Sequence, residues 1–349
     1  MGMVQHYPAI SRPIEPVCSV CIANYNGMAM LKDCIESVLS QLGDLSVEII
    51  VHDDASTDNS VSWLRGAYPQ VEILASPENV GFCISNNRMA AHACGEYILL
   101  LNNDAALYPD ALSTLVDVSR RQSAPGIFTL PQYDWMSGAL VDRGCLLDPF
   151  YNPIPNLDPT RIDVAITIGA CMFLTRNLWF QLQGFPEWLE SIGEDLYLCC
   201  LARLSGVTVQ VTPGSGYRHR QGVSFGGNRV TSNQLQTTYR RRRLSERNKT
   251  SVLFICTPTA MAWPLLAMHL AALTLEGVFM TLARWDPRIW SEIYGSAIKS
   301  TFAAMANLRA QRLRVQLERR ITLKSYLHNF VWLPQKLRLL LRHGLPSIR

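Results

Sequence analysis

The sequence predicts an α/β fold, a mostly parallel Rossmann-like sheet flanked by helices, followed by a helical C-terminal region. Two observations carry this. Short runs rich in Val, Ile and Leu alternate with helix-like segments over 17–23, 28–41, 47–52, 58–67, 71–75, 82–93 and 96–101. Each apolar run is too short for a helix and suits a strand covered on both faces. Beyond residue 248 the character changes, first to an uncharged apolar stretch and then to a basic one. Strand–helix–strand alternation implies parallel pairing through crossover helices. Ligands of such sheets gather beyond the carboxyl ends of the strands, so the polar residues there are read first.

Those strand ends are Ala23-Asn24-Tyr25-Asn26-Gly27, His52-Asp53-Asp54-Ala55-Ser56-Thr57-Asp58, Ser76-Pro77-Glu78-Asn79-Val80-Gly81-Phe82 and Leu101-Asn102-Asn103-Asp104. All four belong on one rim. Asp53 and Asp54 can accept hydrogen bonds from a base edge and a ribose, with Tyr25 and Asn26 beside them. One Asp suffices to cap the following helix, so the pair exceeds that need. Asp104, emerging where a strand hands over to a loop, suits a hard divalent cation that also binds substrate phosphates; an Asn-Asn-Asp turn is the alternative. No G-x-G-x-x-G follows the first strand, which argues against a dinucleotide site, and no Walker sequence is present. A nucleotidyltransferase would need a basic Gly-rich loop there, and none is found.

Four motifs in order, Ala23-x-Tyr25-Asn26, Asp53-Asp54-x-Ser56-x-Asp58, Asn79-x-Gly81-Phe82 with Asn86-Asn87, and Asn102-Asn103-Asp104, resemble a family 2 glycosyltransferase of the GT-A fold. The resemblance runs from Val17 to about Asn248. It continues through Gly184-Phe185-Pro186-Glu187, Gly193-Glu194-Asp195-Leu196, Arg203, Gly206, Tyr217-Arg218-His219 and Arg243 to Asn248. The subgroup it is most similar to is the rhamnosyltransferase-like enzymes of bacterial polysaccharide assembly. It implies a nucleoside-diphosphate sugar donor, a saccharide or lipid-linked acceptor, and single-displacement, inverting chemistry.

Residue by residue, it implies Asp195 as general base with Glu194 as its acceptor-binding neighbour. It implies Ala23, Tyr25, Asn26, Asp53, Asp54, Asn79, Gly81, Asn86, Asn87, Asn103 and Arg218 as nucleotide-sugar contacts, and Asp104, His219 and Asn102 as ligands of Mn2+ or Mg2+. Read from the residues alone, Glu194 and Asp195 equally suit acids in a first helical turn. His219, between arginines, equally suits a phosphate contact or a solvated side chain. The chain departs from the family pattern at Asn102, where Asp is commoner, and at Pro186, which removes a carboxylate from the acceptor loop. A non-catalytic nucleotide-sugar-binding or scaffolding protein is the competing class.

Four segments follow: an extension (1–16), a nucleotide-sugar-binding half (17–110), an acceptor-binding half (111–232) and a membrane-associating region (233–349). Residues 309–349 carry ten Lys/Arg against Glu318 alone, so this stretch is +9 and the remainder of a +4 chain is −5. Its leucines favour an anionic membrane surface over nucleic acid. Residues 251–275 bear no formal charge but contain Pro258, Pro264 and His269. They fit an interfacial insertion, a span, or packing against the catalytic domain. With no secretory signal visible, the expected location is cytoplasmic, peripheral on the inner face of the membrane. The ten cysteines are scattered and several lie in apolar runs, as thiols packed in a core. Cys18 and Cys21 form one C-x-x-C, but odd spacing on a strand sends them to opposite faces.

Overall fold

The computed structural model describes residues 3–222, 227–231 and 234–348. Strands β1 (Gln5–Tyr7), β2 (Cys18–Asn24), β3 (Val47–Asp54), β4 (Glu72–Ser76) and β5 (Tyr97–Asn102) alternate with α1 (Met28–Leu39), α2 (Ser60–Ala67) and α3 (Phe82–His92). Then follow β6 (Ala105–Leu107), α4 (Ala111–Arg121), β7 (Gly126–Thr129), β8 (Gln132–Asp134), β9 (Leu140–Asp142), β10 (Cys145–Leu147), β11 (Pro153–Pro155) and β12 (Cys171–Thr175). The acceptor half closes with α5 (Arg176–Gln181), α6 (Glu194–Leu204), β13 (Thr208–Val211) and β14 (Tyr217–His219).

The main sheet runs β1-β4-β3-β2-β5-β12-β7-β13. Strands β2 to β5 pair in parallel as the alternation predicts. The reversal comes at β12, antiparallel to both β5 and β7. A second sheet, β6-β14-β8-β9, folds the chain after β5 back beside the rim. Alternation along β2 divides the core in two. Cys18, Val20 and Ile22 join Leu31, Ile35 and Leu112 on one face, whereas Cys21 joins Met89, Trp179 and Phe254 on the other. The two cysteines thus point apart, and burial pushes both thiols up.

Two of the expected segments are joined to the sheet and to the core. Residues 3–16 are not a free extension: β1 pairs antiparallel with β4 as an edge strand, and Arg12 reaches Glu48 and Glu72. A three-residue strand carries too little pattern to be recognised locally. The boundary placed at residue 232 falls outside the described residues. Beyond it, β15 (Gly227–Thr231) and β16 (Gln234–Thr237) pair with each other, and α7 (Tyr239–Cys256) enters the catalytic core. Leu253 and Phe254 are fully buried in the same cluster as α6.

The uncharged stretch 251–275 is therefore two elements. Residues 251–256 are the buried last turns of α7, which stops at Thr257 because Pro258 disfavours helical backbone before it and lacks an N–H. The remainder opens α8 (Ala262–Arg284), with Pro264 tolerated in its first turn. This helix is long and apolar enough to cross a membrane by length and composition, with 28% of its apolar window buried. Leu275, Phe279 and Leu282 lie exposed along it. A π-helical turn, α9 (Gly295–Ala303), α10 (Met305–Leu317), α11 (Leu323–Leu327), α12 (Gln335–His343) and β17 (Ser347–Ile348) complete the chain.

The basic stretch is likewise only partly outward-facing. Arg312 donates to the carbonyls of Phe254 and Thr257, closing the end of α7. Lys336 of α12 pairs with Glu246 and Glu276. Charge alone could not show which cations would meet internal partners.

Because α7 is core rather than appendage, Phe254→Ala should destabilise the chain by about 3–5 kcal/mol. Chemical denaturation followed by tryptophan fluorescence and circular dichroism should still show one coincident transition; separate transitions would mean the C-terminal helices form their own body.

Candidate active site

The rim is assembled by hydrogen bonds between strand ends. Asn24, buried at the tip of β2, donates through Nδ2 to Asp53 Oδ2 at 2.9 Å and accepts from Asn103 Nδ2 at 2.8 Å. The other Asp53 oxygen accepts from the backbone N–H of Ser56 at 2.9 Å. This packing is tight enough to demand glycine at 27, where a Cβ would lie 2.1 Å from Asn103 Nδ2 and 2.5 Å from Asn24 Oδ1. Ala23 sits in register between His52 and Asn102. Asn26, at φ +50°, accepts from the Thr57 N–H at 2.7 Å and fixes the turn after β3. Tyr25 stands 54% exposed on the rim.

Asp54 has an internal task that sequence reasoning did not assign. Its oxygens accept from the Val80 and Gly81 N–H groups at 2.7 and 2.9 Å, and its carbonyl accepts from Asn79 Nδ2 at 3.3 Å. Gly81, at φ +88°, opens α3. Asn86 and Asn87, expected at the nucleotide, make internal contacts. Asn86 is buried and donates back to the Phe82 carbonyl. Asn87 clamps both the N–H and the carbonyl of Phe185 at 3.0 and 2.8 Å. Each amide thus meets backbone groups of this chain, which the residue types alone do not disclose.

Asp104 and His219 are brought together by the pairing of β6 with β14. His219 Nε2 lies 3.1 Å from Asp104 Oδ1, and Nδ1 lies 3.0 Å from Gln132 Oε1. Gln132 donates its Nε2 to Asp142 at 3.1 Å, so its oxygen must accept, and the imidazole carries its proton on Nδ1. Nε2 of a neutral ring then turns a lone pair toward a carboxylate, an arrangement that asks for a shared cation or proton. Their separation also fits neighbouring positions of an octahedral ion, about 3 Å at metal–ligand distances of about 2.1 Å. The outer partner on Nδ1 is the usual support for a metal-binding histidine. Gln132 and Asp142 were not visible in the sequence, since nothing local marks them as partners of residue 219.

Asn102, the third predicted ligand, is half-buried at the end of β5 and held by its N–H on the Ala170 carbonyl. Arg218 lies on the other face of β14: strand alternation buries Tyr217 and His219 and turns Arg218 outward. Arg220 stacks on Trp135 with 3.9 Å to the ring centroid and pairs with Asp33.

Glu194 and Asp195 do open a helix, α6, after Gly193 at φ +95°. Asp195 accepts from the Gly169 N–H at 3.1 Å and its own Leu196 N–H at 2.7 Å. Ala170, next to Gly169, accepts from Asn102 N–H at 3.0 Å. Two short links thus connect the Asp195 carboxylate to the strand end bearing Asp104. Burial, joined by the charge of Asp195, pushes Glu194 up to about 8, and burial raises Asp195 too. Arg241 of α7 supplies the opposing charge. The loop leading to this pair is held from the same helix. Arg247 pairs with Glu190 at 2.8 Å, and Asn248 Nδ2 donates to the carbonyls of Leu189, Ser191 and Ile192.

Residues 19–174 match the profile of Glycosyl transferase family 2. That match takes in the parallel strands, the rim and β12, a little under half of the chain. The chain is 27% identical over 188 residues to the chondroitin synthase of Pasteurella multocida, covering 52% of this chain and 18% of that protein. It is 27% identical over 220 residues to the succinoglycan biosynthesis protein ExoO of Rhizobium meliloti, covering 60% and 62%. The chain thus spans less than two thirds of either relative. The structure of GalNAc-T7 with UDP, GalNAc and Mn2+ superposes with a TM-score of 0.55 at 13% identity, over 69% of this chain and 48% of that one. The fold is GT-A, as the glycosyltransferase motifs led one to expect.

Gly27→Ala should lose about 1–3 kcal/mol of stability through overpacking, with the loss centred on the Asn24–Asn103 contact. Thermal unfolding and an Asn24→Ala/Gly27→Ala double-mutant cycle would check it; additive effects would deny the coupling.

Proposed function

We propose that this chain is an inverting glycosyltransferase of bacterial polysaccharide assembly, moving a sugar from a nucleoside-diphosphate donor to a saccharide or lipid-linked acceptor. The observation that carries this reading is the path from Asp195 through Gly169 and Ala170 to the strand end of Asn102, Asn103 and Asp104. It supports a base acting beside a rim suited to a diphosphate.

In this reading Tyr25 and Asp53 contact the nucleotide, while Asn24, Asn26, Asp54, Asn79 and Gly81 shape the loops that receive it. Asp104 and His219, with Asn102 beside them, would hold Mn2+ or Mg2+. When bound, such an ion offsets the negative charge that develops on the departing diphosphate. Asp195 takes the proton of the acceptor hydroxyl as that oxygen attacks the anomeric carbon, and one displacement inverts the configuration there. Glu194, whose carboxyl is pushed up by burial and by the charge of Asp195, can in its protonated form donate a hydrogen bond to the acceptor. Backbone N–H groups of Gly169 and Leu196 hold the base in one orientation.

The outward face of α8 and the leucines and arginines of α12 suit shallow seating on an anionic membrane. Leu275, Phe279 and Leu282 are 72%, 55% and 62% exposed, and none of the α12 residues is buried. Contiguous apolar surface of this kind marks an interaction site.

Asp195→Asn should lower transfer at least about 100-fold while leaving donor affinity nearly unchanged, measured with UDP-, GDP- and dTDP-linked sugars, rhamnose included, with and without Mn2+. Full turnover by this variant would remove Asp195 from the role of base. In the native protein the rate should fall as pH drops through the Asp195 pKa, because the acid must be ionised to act. Burial places that limb above the usual Asp value of about 3.9, so a pH–kcat/KM profile flat down to that value would contradict it. Phe279→Ser with Leu282→Ser should reduce flotation with anionic vesicles without altering transfer to a soluble acceptor.

A further inference from the structure

A second cluster of ligand-type side chains lies at the opposite end of the parallel strands from Asp53 and Asp104. His6 comes from β1, Glu72 from the first position of β4, and His92 from the last position of α3. His6 Nε2 is 3.2 Å and His92 Nδ1 3.6 Å from the same oxygen, Glu72 Oε1. All three ligand atoms lie within 4.8 Å of one another.

The second observation is the state of that oxygen. Glu72 is only 2% exposed, and its Oε1 is buried with no hydrogen-bond partner. Such an atom costs about 1–3 kcal/mol, yet two ring nitrogens stand beside it without donating to it. Three ligand atoms gathered this closely around a buried, unbonded carboxylate oxygen are disposed as ligands of one ion. A tetrahedral ion with ligands at about 2.0–2.2 Å has ligand–ligand edges of about 3.3–3.6 Å, and the separations of 3.2 and 3.6 Å bracket that range.

The surroundings fit a divalent cation. Arg12 Nη1 holds the other Glu72 oxygen at 2.9 Å and its Nε holds Glu48 at 2.5 Å, the kind of outer contact that orients a metal-binding carboxylate. Two carboxylates and one guanidinium leave the cluster at −1 with both imidazoles neutral. Two imidazoles and one carboxylate favour Zn2+ or a similar late transition ion over Mg2+. We propose that His6, Glu72 and His92 form a transition-metal site of zinc type, with water at the fourth position, that staples edge strand β1 to β4 and α3.

The test uses the full chain without a polyhistidine tag, stripped with chelator and titrated with Co2+. One equivalent should produce the intense visible bands of tetrahedral Co2+, which Zn2+ then displaces, and Zn2+ should raise the Tm. Six-coordinate Co2+ at Asp104 and His219 absorbs weakly, so the two sites are separable. His6→Ala with His92→Ala, both solvent-facing, should abolish the bands and the Tm shift while leaving the circular dichroism spectrum unchanged. Glu72→Gln should weaken binding by about 10-fold or more. Absence of tetrahedral bands in the native chain, or bands and a Tm shift unchanged in the double variant, would overturn the site and leave the cluster as a His–Glu ion pair.

Discussion

The rim depends on one buried carboxamide. Asn24 faces a carboxylate with its NH2 and another amide with its oxygen, so it ties the tips of β2, β3 and β5 in a single chain of hydrogen bonds. Inside a protein such groups are costly when unpaired, and a network in which each partner is satisfied fixes its members in one geometry. Asp54 extends the same logic to the turn after β4 through the N–H groups of Val80 and Gly81. Most of the polar residues that crowd the rim therefore build loops, and fewer are left facing outward to meet a ligand.

The acceptor side rests on a different constraint. Glu194 and Asp195 begin α6, but the loop before them is held by Arg247 and Asn248 of α7, and on its other side by Cys83, whose N–H reaches the Glu190 carbonyl at 3.2 Å. This loop bridges the nucleotide half and the C-terminal helices. The same α7 contributes Arg241 to the electrostatics of the carboxylate pair and Phe254 to the core. A helix beyond the segment matched by the family is thus part of the candidate site, which explains why its last turns are buried despite an uncharged composition that reads as membrane-seeking.

Much of this was legible in the sequence because it is local. Strand runs rich in Val, Ile and Leu specified a sheet covered on both faces, their order specified parallel pairing, and the polar tips specified the rim. The odd spacing of Cys18 and Cys21 was enough to send them to different cores. Glu194 and Asp195 were readable as acids suited to the first turn of a helix, whereas the strand that His219 ends was not.

Tertiary structure decided whatever depended on the partner rather than the residue. Nothing in residues 86–87 tells that one amide returns to its own helix and the other clamps Phe185. Nothing in the triplet 217–219 tells which face will meet Asp104, so Arg218 points away while His219 points in. The basic C-terminal stretch could not reveal that Arg312 closes a helix end and Lys336 joins a buried ion network, nor could residues 3–16 announce that they complete a sheet edge. Periodicity and propensity are written within a few residues, whereas hydrogen-bond partners and burial arise between segments tens to hundreds of residues apart, and only folding brings those together.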